Sequence, residues 1–221
     1  MKAHGGKGDI SEDVAKAIEI VKTWNNAGTK PESVVPKQII QNCHGLVFLH
    51  FVKIGAVISG SVGSGFVIAK INKGTPEEYW SGPSALSSGA FGVGAQVGGE
   101  MVHNVLVLNT AEAVEKYYTQ AKLKVGTDLA FAYGHEGARI EDLKAMAKAP
   151  MSVYSYSKGA SIGASVEGTV LGVNREANHK FYGKTLDAED ILTGTTGDTL
   201  DSKHPALTEL YLELGIYKTA I

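Results

Sequence analysis

The sequence predicts an α+β fold, an antiparallel, glycine-rich β-barrel or sandwich with flanking N- and C-terminal helices. Glycine accounts for 27 of the 221 residues, and the glycines lie among β-branched residues rather than in a separate linker. Such glycines are typical of strands that bend or closely approach another backbone. Apolar residues alternate with glycine and polar residues around positions 91–101, which is the period of a strand. Helical spacing occurs towards both ends of the chain.

The segment 80–109 provides the main evidence for the predicted strands. Its alternating part indicates either one long bent strand or two strands that meet at Gly98–Gly99. From Val105 to Leu108 the alternation stops and consecutive residues are apolar. A run of this kind needs cover on both faces, so we expect a central strand here.

The N-terminal part predicts a helix after a short arm. Residues 1–8 are expected to form a flexible arm, and Ser11 is expected to cap a helix that reaches about Asn26. Two interpretations of this helix remain open: it packs on the domain, or it lies on a membrane surface as a basic amphipathic helix. Its apolar stripe consists of Ile10, Val14, Ala17, Ile18, Val21 and Trp24.

The apolar segment 46–71 raises the question of a membrane span. Lys53 lies near its centre, where a charge would cost about 2.5–3.5 kcal/mol in a bilayer, and glycine and β-branched residues favour strands. We therefore expect two strands joined by a turn at Gly60–Gly65. A short helix beginning at Pro36 and ended by Gly45 is expected before them.

Capping residues and periodicity also predict the helices and strands after residue 109. Thr110 is expected to cap a helix to about Tyr118, and Asn174 to begin one that ends at Gly183. The remaining predictions are strands over 122–133, 151–156 and 161–173, and helices over 141–149, over 187–192 and from Pro205 onward. The predicted organisation is an arm (1–8) and one domain (9–221), with N-terminal helices (9–44), a mainly β part (45–173) and C-terminal helices (174–221).

Composition excludes some classes of function. With 21 basic and 23 acidic side chains the net charge is −2, so no global field favours nucleic acid. Cys43 is the single cysteine, which excludes an internal disulfide and fits a reducing compartment. The N-terminus lacks the apolar core of a signal peptide.

One motif has the form of a nucleophile elbow. Residues 159–163 match G-x-S-x-G around Ser161, and Asp187 or Asp190 and then His204 follow in the order of a hydrolase triad. An elbow requires a helix directly after the serine, whereas the residues that follow have the composition of a strand. A serine hydrolase is therefore a remote alternative, and we expect a protein that is not an enzyme.

Other candidate motifs, for nucleotide or metal binding, lack the spacing that these functions require. Residues 92–98 are one residue too long for a dinucleotide fingerprint, and the P-loop-like ending at 183–185 lacks its first glycine because position 178 is Asn. His44 and His50 have no ligand partner nearby in sequence, and Glu189, Asp198 and Asp201 have the wrong spacing for an EF-hand. No metal or cofactor is expected.

Basic residues near predicted helix ends provide the remaining candidate site. Individually each is most often a solvated charge, but several together could bind an anionic headgroup, since each contributes about 1 kcal/mol near an anionic surface. Lys184 lies in the same C-terminal basic group. The candidate lipid-binding residues are Lys16, Lys22, Trp24, Lys30, Lys37, Lys158, Arg175 and Lys180.

The combination of segments resembles the SYLF domain family. The matching segments are GSGFVIAK (63–70), WSGPSAL (80–86), GVGAQVGGE (92–100), VLVLNT (105–110), VYSYSK (153–158), ASVEGT (164–169) and KFYG (180–183). The resemblance implies a lipid-binding module that associates with phosphoinositide-containing membranes, often through a basic amphipathic N-terminal segment. It also implies an alternative function, binding and bundling of actin filaments, and a cytoplasmic, peripheral location at the endosomal or plasma membrane.

The chain departs from the family pattern at one turn. After the strand 153–158 the family commonly carries a bulky apolar pair, which is absent from residues 158–163 here. A membrane wedge at this hairpin is therefore not expected.

Overall fold

The computed structural model describes residues 8–24, 34–54, 58–93, 100–133, 148–156, 168–196 and 204–215. The helices in these ranges are α1 Ile10–Trp24, α2 Lys37–Asn42, α3 Ala111–Thr119, α4 Arg175–Tyr182, α5 Ala188–Thr193 and α6 Pro205–Glu213. The strands are β1 Gly45–Ile54, β2 Ile58–Ile71, β3 Tyr79–Trp80, β4 Ser84–Val93, β5 Glu100–Leu108, β6 Leu123–Lys124, β7 Phe131–Tyr133, β8 Met151–Tyr156 and β9 Val170–Val173.

The described strands form one curled sheet, a half-barrel. Their order is β6-β9-β4-β2-β1-β5-β8-β7, with β3 paired to β2 beside this path. Every pairing is antiparallel except that of β7 with β8, which is parallel. The predicted α+β class, with an antiparallel glycine-rich sheet and helices at both ends of the chain, is confirmed.

Strand β5 is an internal strand of this sheet, between β1 and β8. Val105 and Val107 belong to one buried cluster, whereas Leu106 and Leu108 belong to a second cluster on the opposite face. The consecutive apolar run predicted a strand covered on both faces, and the structure confirms it.

Helices cover both faces of the sheet. Residues of α1, α2, α4 and α6 join the first cluster, and residues of α3 and α5 join the second. The stripe residues Val14, Ile18 and Val21 are buried in the first cluster. Of the two interpretations of α1, the structure therefore shows the packed helix. None of the described helices is long and apolar enough to cross a membrane.

Local capping explains several helix boundaries. Thr110 accepts a hydrogen bond from the Ala113 amide at 3.1 Å, and Asn174 accepts one from the Ala177 amide at 3.0 Å, as predicted. Gly183 ends α4 with a φ of 68°, a left-handed conformation that favours glycine. The predicted cap at Ser11 is wrong, because Asp9 accepts the hydrogen bond from the Ser11 amide and α1 begins at Ile10.

The predicted turn at Gly60–Gly65 is also wrong. These residues lie inside β2, where Gly60 is paired with Ile54 and Gly65 with Leu49 of β1. A Cβ added at Gly65 would lie 1.9 Å from the Phe48 carbonyl oxygen. The glycines therefore permit a close approach of two strands in a curled sheet, not a reversal of the chain.

Other boundaries differ or remain predictions. Gly45 was expected to end α2 but begins β1, because Cys43 already caps the helix. The pattern over 122–133 forms two short strands, β6 and β7, rather than one. Most of the arm 1–8, the junction at Gly98–Gly99 and most of the predicted helix 141–149 lie outside the described residues. Of the predicted strand 161–173, the described part contains β9.

Replacing Gly65 by alanine should strongly destabilise the protein. The new methyl group would overlap the Phe48 carbonyl, so β1 and β2 would have to separate. We expect the free energy of unfolding in urea to fall by about 3 kcal/mol or more. Gly172→Ala in β9 is the matched control, because its added Cβ would lie 3.5 Å from the Ala121 carbonyl oxygen, an ordinary contact. Equal unfolding midpoints for the two variants would contradict the close-approach argument.

Candidate membrane-binding surface around helix α1

Helix α1 lies on the sheet and contacts β1, β2, α4 and α6. Its sequence places five charged residues on the faces that surround the apolar stripe, namely Glu12, Asp13, Lys16, Glu19 and Lys22. The helix is therefore amphipathic, but its own charges are mixed rather than uniformly basic.

Exposed ion pairs connect both ends of α1 to the C-terminal helices. Lys180 of α4 lies 2.7 Å from the Asp9 carboxylate, just before the helix, and Lys22 lies 2.5 Å from Glu209 of α6. The hydrogen bond from Lys180 lowers the pKa of Asp9, and the carboxylate partners raise the pKa of Lys180 and of Lys22. Both lysines are solvent-exposed, so water and salt screen these pairs and another anion can replace the carboxylates.

Trp24 packs on the sheet at the C-terminal end of α1. Its indole Nε1 donates a hydrogen bond to the Tyr156 hydroxyl at 2.7 Å, and the two rings stack with centroids 6.5 Å apart. Burial raises the pKa of Tyr156, so the hydroxyl stays protonated at physiological pH. In this structure Trp24 contacts β8, and its predicted contact with lipid stays a prediction.

A polar row crosses the sheet directly beneath α1. It consists of His103 of β5, His50 of β1 and Ser64 of β2, which are register partners on the same face of the sheet. Asp13 of α1 faces this row, is 2% exposed and accepts hydrogen bonds from Lys16 at 3.1 Å and from Ser64 at 3.3 Å. Burial raises the pKa of Asp13, and the Lys16 ammonium partly opposes this effect.

The two histidines of the polar row are in direct contact. Their Nδ1 atoms are 2.6 Å apart, so one ring must donate a proton and the other accept it. Burial lowers the pKa of His50 to about 3, with a further contribution from His103, and burial also lowers the pKa of His103. The pair is therefore uncharged at neutral pH.

The structure brings some of the predicted basic residues together. Lys16, Lys22 and Lys180 surround α1, and each lies beside a carboxylate. Arg175 is 80% exposed and lies 3.9 Å from Asp187, whereas Lys37 is exposed on α2 and pairs with no other described residue in an ion pair. Lys30 and Lys158 lie outside the described residues.

Sequence reasoning missed the polar row beneath α1. His50 was noted only with His44 as a metal-ligand candidate, and its neighbour in the structure is His103. The only signal was the period-two position of a histidine in each of two predicted strands, which does not reveal register. Within the described ranges, no group of three histidine, cysteine or acidic residues could hold a metal ion.

The residues of the remote hydrolase hypothesis make other contacts where the structure describes them. Asp190 accepts a hydrogen bond from Thr195 at 3.1 Å, and the His204 ring stacks on Phe181 with centroids 4.0 Å apart. Asp187 is exposed beside Arg175. Ser161, the proposed nucleophile, lies outside the described residues, so the triad itself stays an untested hypothesis.

The fold and this surface define an α+β module in which a curled sheet lies between two helical layers. The family model described as "Ysc84: Las17-binding protein actin regulator" matches residues 89–215. The chain belongs to this Ysc84 family, which is the SYLF family that the sequence segments resemble.

Curated relatives agree with this assignment. The chain is 36% identical to an SH3 domain-containing protein of Schizosaccharomyces pombe over 74% of this chain and 38% of that protein. It is 35% identical to LAS seventeen-binding protein 3 of Saccharomyces cerevisiae over 84% of this chain and 40% of the relative. It is 31% identical to SH3 domain-containing YSC84-like protein 1 of Homo sapiens over 85% of this chain and 55% of the relative. The chain thus spans about half or less of these proteins.

Replacing Tyr156 by phenylalanine should weaken the attachment of α1. The variant removes the acceptor for the half-buried Trp24 N–H, so we expect the free energy of unfolding to fall by about 1 kcal/mol. Urea unfolding followed by tryptophan fluorescence measures this change. Tyr118→Phe is the matched control, since that half-buried hydroxyl has no hydrogen bond to a described residue. If both variants unfold at the same urea concentration, the Trp24–Tyr156 hydrogen bond does not stabilise α1.

Proposed function

We propose that this chain is a lipid-binding module that associates with acidic phospholipids, including phosphoinositides, through the surface around α1. The observation that carries the proposal is the exposed ion pairing of Lys22 and Lys180, which border an amphipathic helix. Lipid phosphates are anions that can replace Glu209 and Asp9 as partners of these lysines. The family resemblance supports the same lipid class and a peripheral location on endosomal or plasma membranes.

Burial of the apolar stripe separates two modes of membrane contact. With α1 seated on the sheet, only its polar face and the neighbouring basic side chains can meet headgroups. Insertion of Val14, Ile18 and Val21 into the acyl boundary requires α1 to leave the sheet first, because all three are buried. The lysines can therefore act in first contact, and the stripe can act only after release.

Two charge variants of one ion pair test the electrostatic contact. Lys22→Gln should lower co-sedimentation with phosphoinositide-containing phosphatidylcholine vesicles by about fivefold, which corresponds to about 1 kcal/mol for one cation at an anionic surface. Glu209→Gln should raise co-sedimentation, because it frees Lys22 and removes a repelling carboxylate. Both variants lose the same ion pair, so a change that came only from the lost pair would have the same sign in both.

The proposal also requires salt sensitivity. Added salt should lower vesicle binding of the unmodified chain, because the contact is between exposed charges. Vesicles of phosphatidylcholine alone are the matched lipid control. Absence of pelleting with every anionic vesicle would refute the lipid-binding function.

A second candidate function is binding of actin filaments. The family description names an actin regulator, which favours this alternative independently of the α1 geometry. The exposed cations proposed for lipid are also candidates for the acidic filament surface. Of the proposed set, Lys37 combines full exposure with no ion pair to another described residue.

Filament co-sedimentation tests this second function. The unmodified chain should pellet with filaments, and the combined loss of Lys16, Lys22, Lys30 and Lys37 to glutamine should weaken pelleting several-fold, because each contributes modestly to an electrostatic contact. Exchange of Lys122 and Lys124, which are exposed around β6, is a control that removes half as many charges from another surface. Unchanged pelleting of the fourfold variant would exclude the surface near α1 and α2.

A further inference from the structure

We propose that the His50–His103 pair is an acid-sensitive latch that holds α1 on the sheet while both rings are uncharged and releases it when they become protonated. The latch lies at an interface rather than in a catalytic site. His50 of β1 and His103 of β5 are register partners on the face of the sheet on which α1 packs, and α1 contacts β1 and β2 there.

The geometry of the pair disfavours a double charge. The Nδ1 atoms are 2.6 Å apart, and the rings meet edge to face with centroids 4.8 Å apart. Once both rings carry protons on both of their nitrogens, neither Nδ1 can accept, so the hydrogen bond is lost and two cations face each other. His50 is 5% exposed, and its Nε2 has no hydrogen-bond partner among the described residues. Burial therefore disfavours a charge on this ring, and it outweighs a hydrogen bond with the Asp13 backbone that favours the protonated form.

The groups that face the pair come from three elements, α1, β2 and β8. From α1 come Asp13, Lys16 and Glu19; from β2 comes Ser64; from β8 comes Tyr156, the register partner of His103. Lys16 repels a proton on either ring, whereas Glu19 attracts one on His103. Asp13 is the nearest buried carboxylate, but Lys16 and Ser64 already occupy it. Repulsion and burial together therefore outweigh attraction.

Proton uptake decides whether the state with α1 seated on the sheet becomes more or less stable as the pH falls. Burial lowers the pKa of His50 from 6.5 to about 3 while α1 is seated, and release returns it towards 6.5. The seated state thus binds fewer protons than the released state below about pH 6.5, and its stability falls as pH falls through that value. Asp13 acts in the opposite direction, because its raised pKa lets the seated state take up a proton first at lower pH. Release should therefore be greatest in mildly acidic solution.

The latch also has a consequence for membranes, which rests on the proposed lipid-binding function. Release exposes Val14, Ile18 and Val21, the residues that the seated helix hides. Mild acid should then convert a headgroup contact into an insertion of the stripe. The chemistry that recognises the released helix is an anionic lipid surface with accessible acyl chains.

Hydrogen–deuterium exchange of the α1 amides tests the latch without lipid. Between about pH 7.5 and about pH 5.5, after correction for intrinsic exchange, protection of α1 should fall about tenfold from His50 alone, and further with His103. Amides of α3, on the opposite face, should change much less. Equal protection of α1 at both pH values overturns the proposal, and this result requires no variant.

Histidine variants identify which residues cause the acid-dependent loss of protection of α1. His50→Gln combined with His103→Gln should abolish the acid-dependent loss of protection, since no titrating ring remains beneath α1. His179→Gln removes an exposed histidine of α4, and His44→Gln removes a histidine whose pKa is also lowered by burial but which lies beside β1 rather than under α1. Both controls should keep the full response. Loss of the response in His44→Gln would overturn the assignment, even if the double variant failed to fold.

Vesicle binding at the two pH values separates the latch from the lipid-binding function. Stronger co-sedimentation with anionic vesicles in acid, lost in the double histidine variant, supports both. Acid release of α1 without any vesicle binding supports the latch and refutes the lipid function. Vesicle binding that is independent of pH, together with constant α1 protection, supports the lipid function and refutes the latch.

Discussion

The structure depends on the need to cover both faces of the central strands. Val105 to Leu108 is apolar at every position, so neither face of β5 can meet water. Helices α1, α2, α4 and α6 cover one face, and α3 and α5 cover the other. Glycines of β2 let it approach the β1 backbone closely in this curled sheet.

This constraint explains why α1 is not a free membrane helix. Its stripe provides part of the cover for β1, β2 and β5, so the same side chains cannot contact lipid while the helix is seated. The surface left to solvent is made of ion pairs at the two ends of the helix. In the proposed binding mode, exposed charges make the first contact, and apolar side chains can follow only after α1 leaves the sheet.

The apolar cover of the sheet is incomplete beneath α1. Towards one end, the face that carries Phe48 and Phe66 continues as His103, His50 and Ser64, opposite the buried Asp13. Buried polar groups stabilise a core only while their hydrogen bonds are made, and the hydrogen bonds of titratable groups depend on protonation. The attachment of α1 is therefore strong over its stripe and conditional over the polar row.

The resemblance to the family and the class of fold were available from the sequence because both rest on local order. Period-two alternation and a consecutive apolar run predicted strands, and Thr110, Asn174 and Gly183 predicted helix ends, since capping involves residues close in the chain. The glycine-rich stretch in β2 was misread as a turn, because glycine is favoured both in turns and where strands approach closely. Its role depends on the neighbouring strand, which local sequence does not specify.

The sequence by itself determined the class of fold, several helix boundaries, the two-sided burial of β5 and the family, because these follow from composition, spacing and short segments. Only the tertiary structure decided which charges meet. Asp9 and Lys180 lie 171 positions apart, Lys22 and Glu209 lie 187 apart, and His50 and His103 lie 53 apart, yet each pair is in contact. Strand register and helix docking create these contacts, and both are set by packing over the whole chain rather than by any single segment.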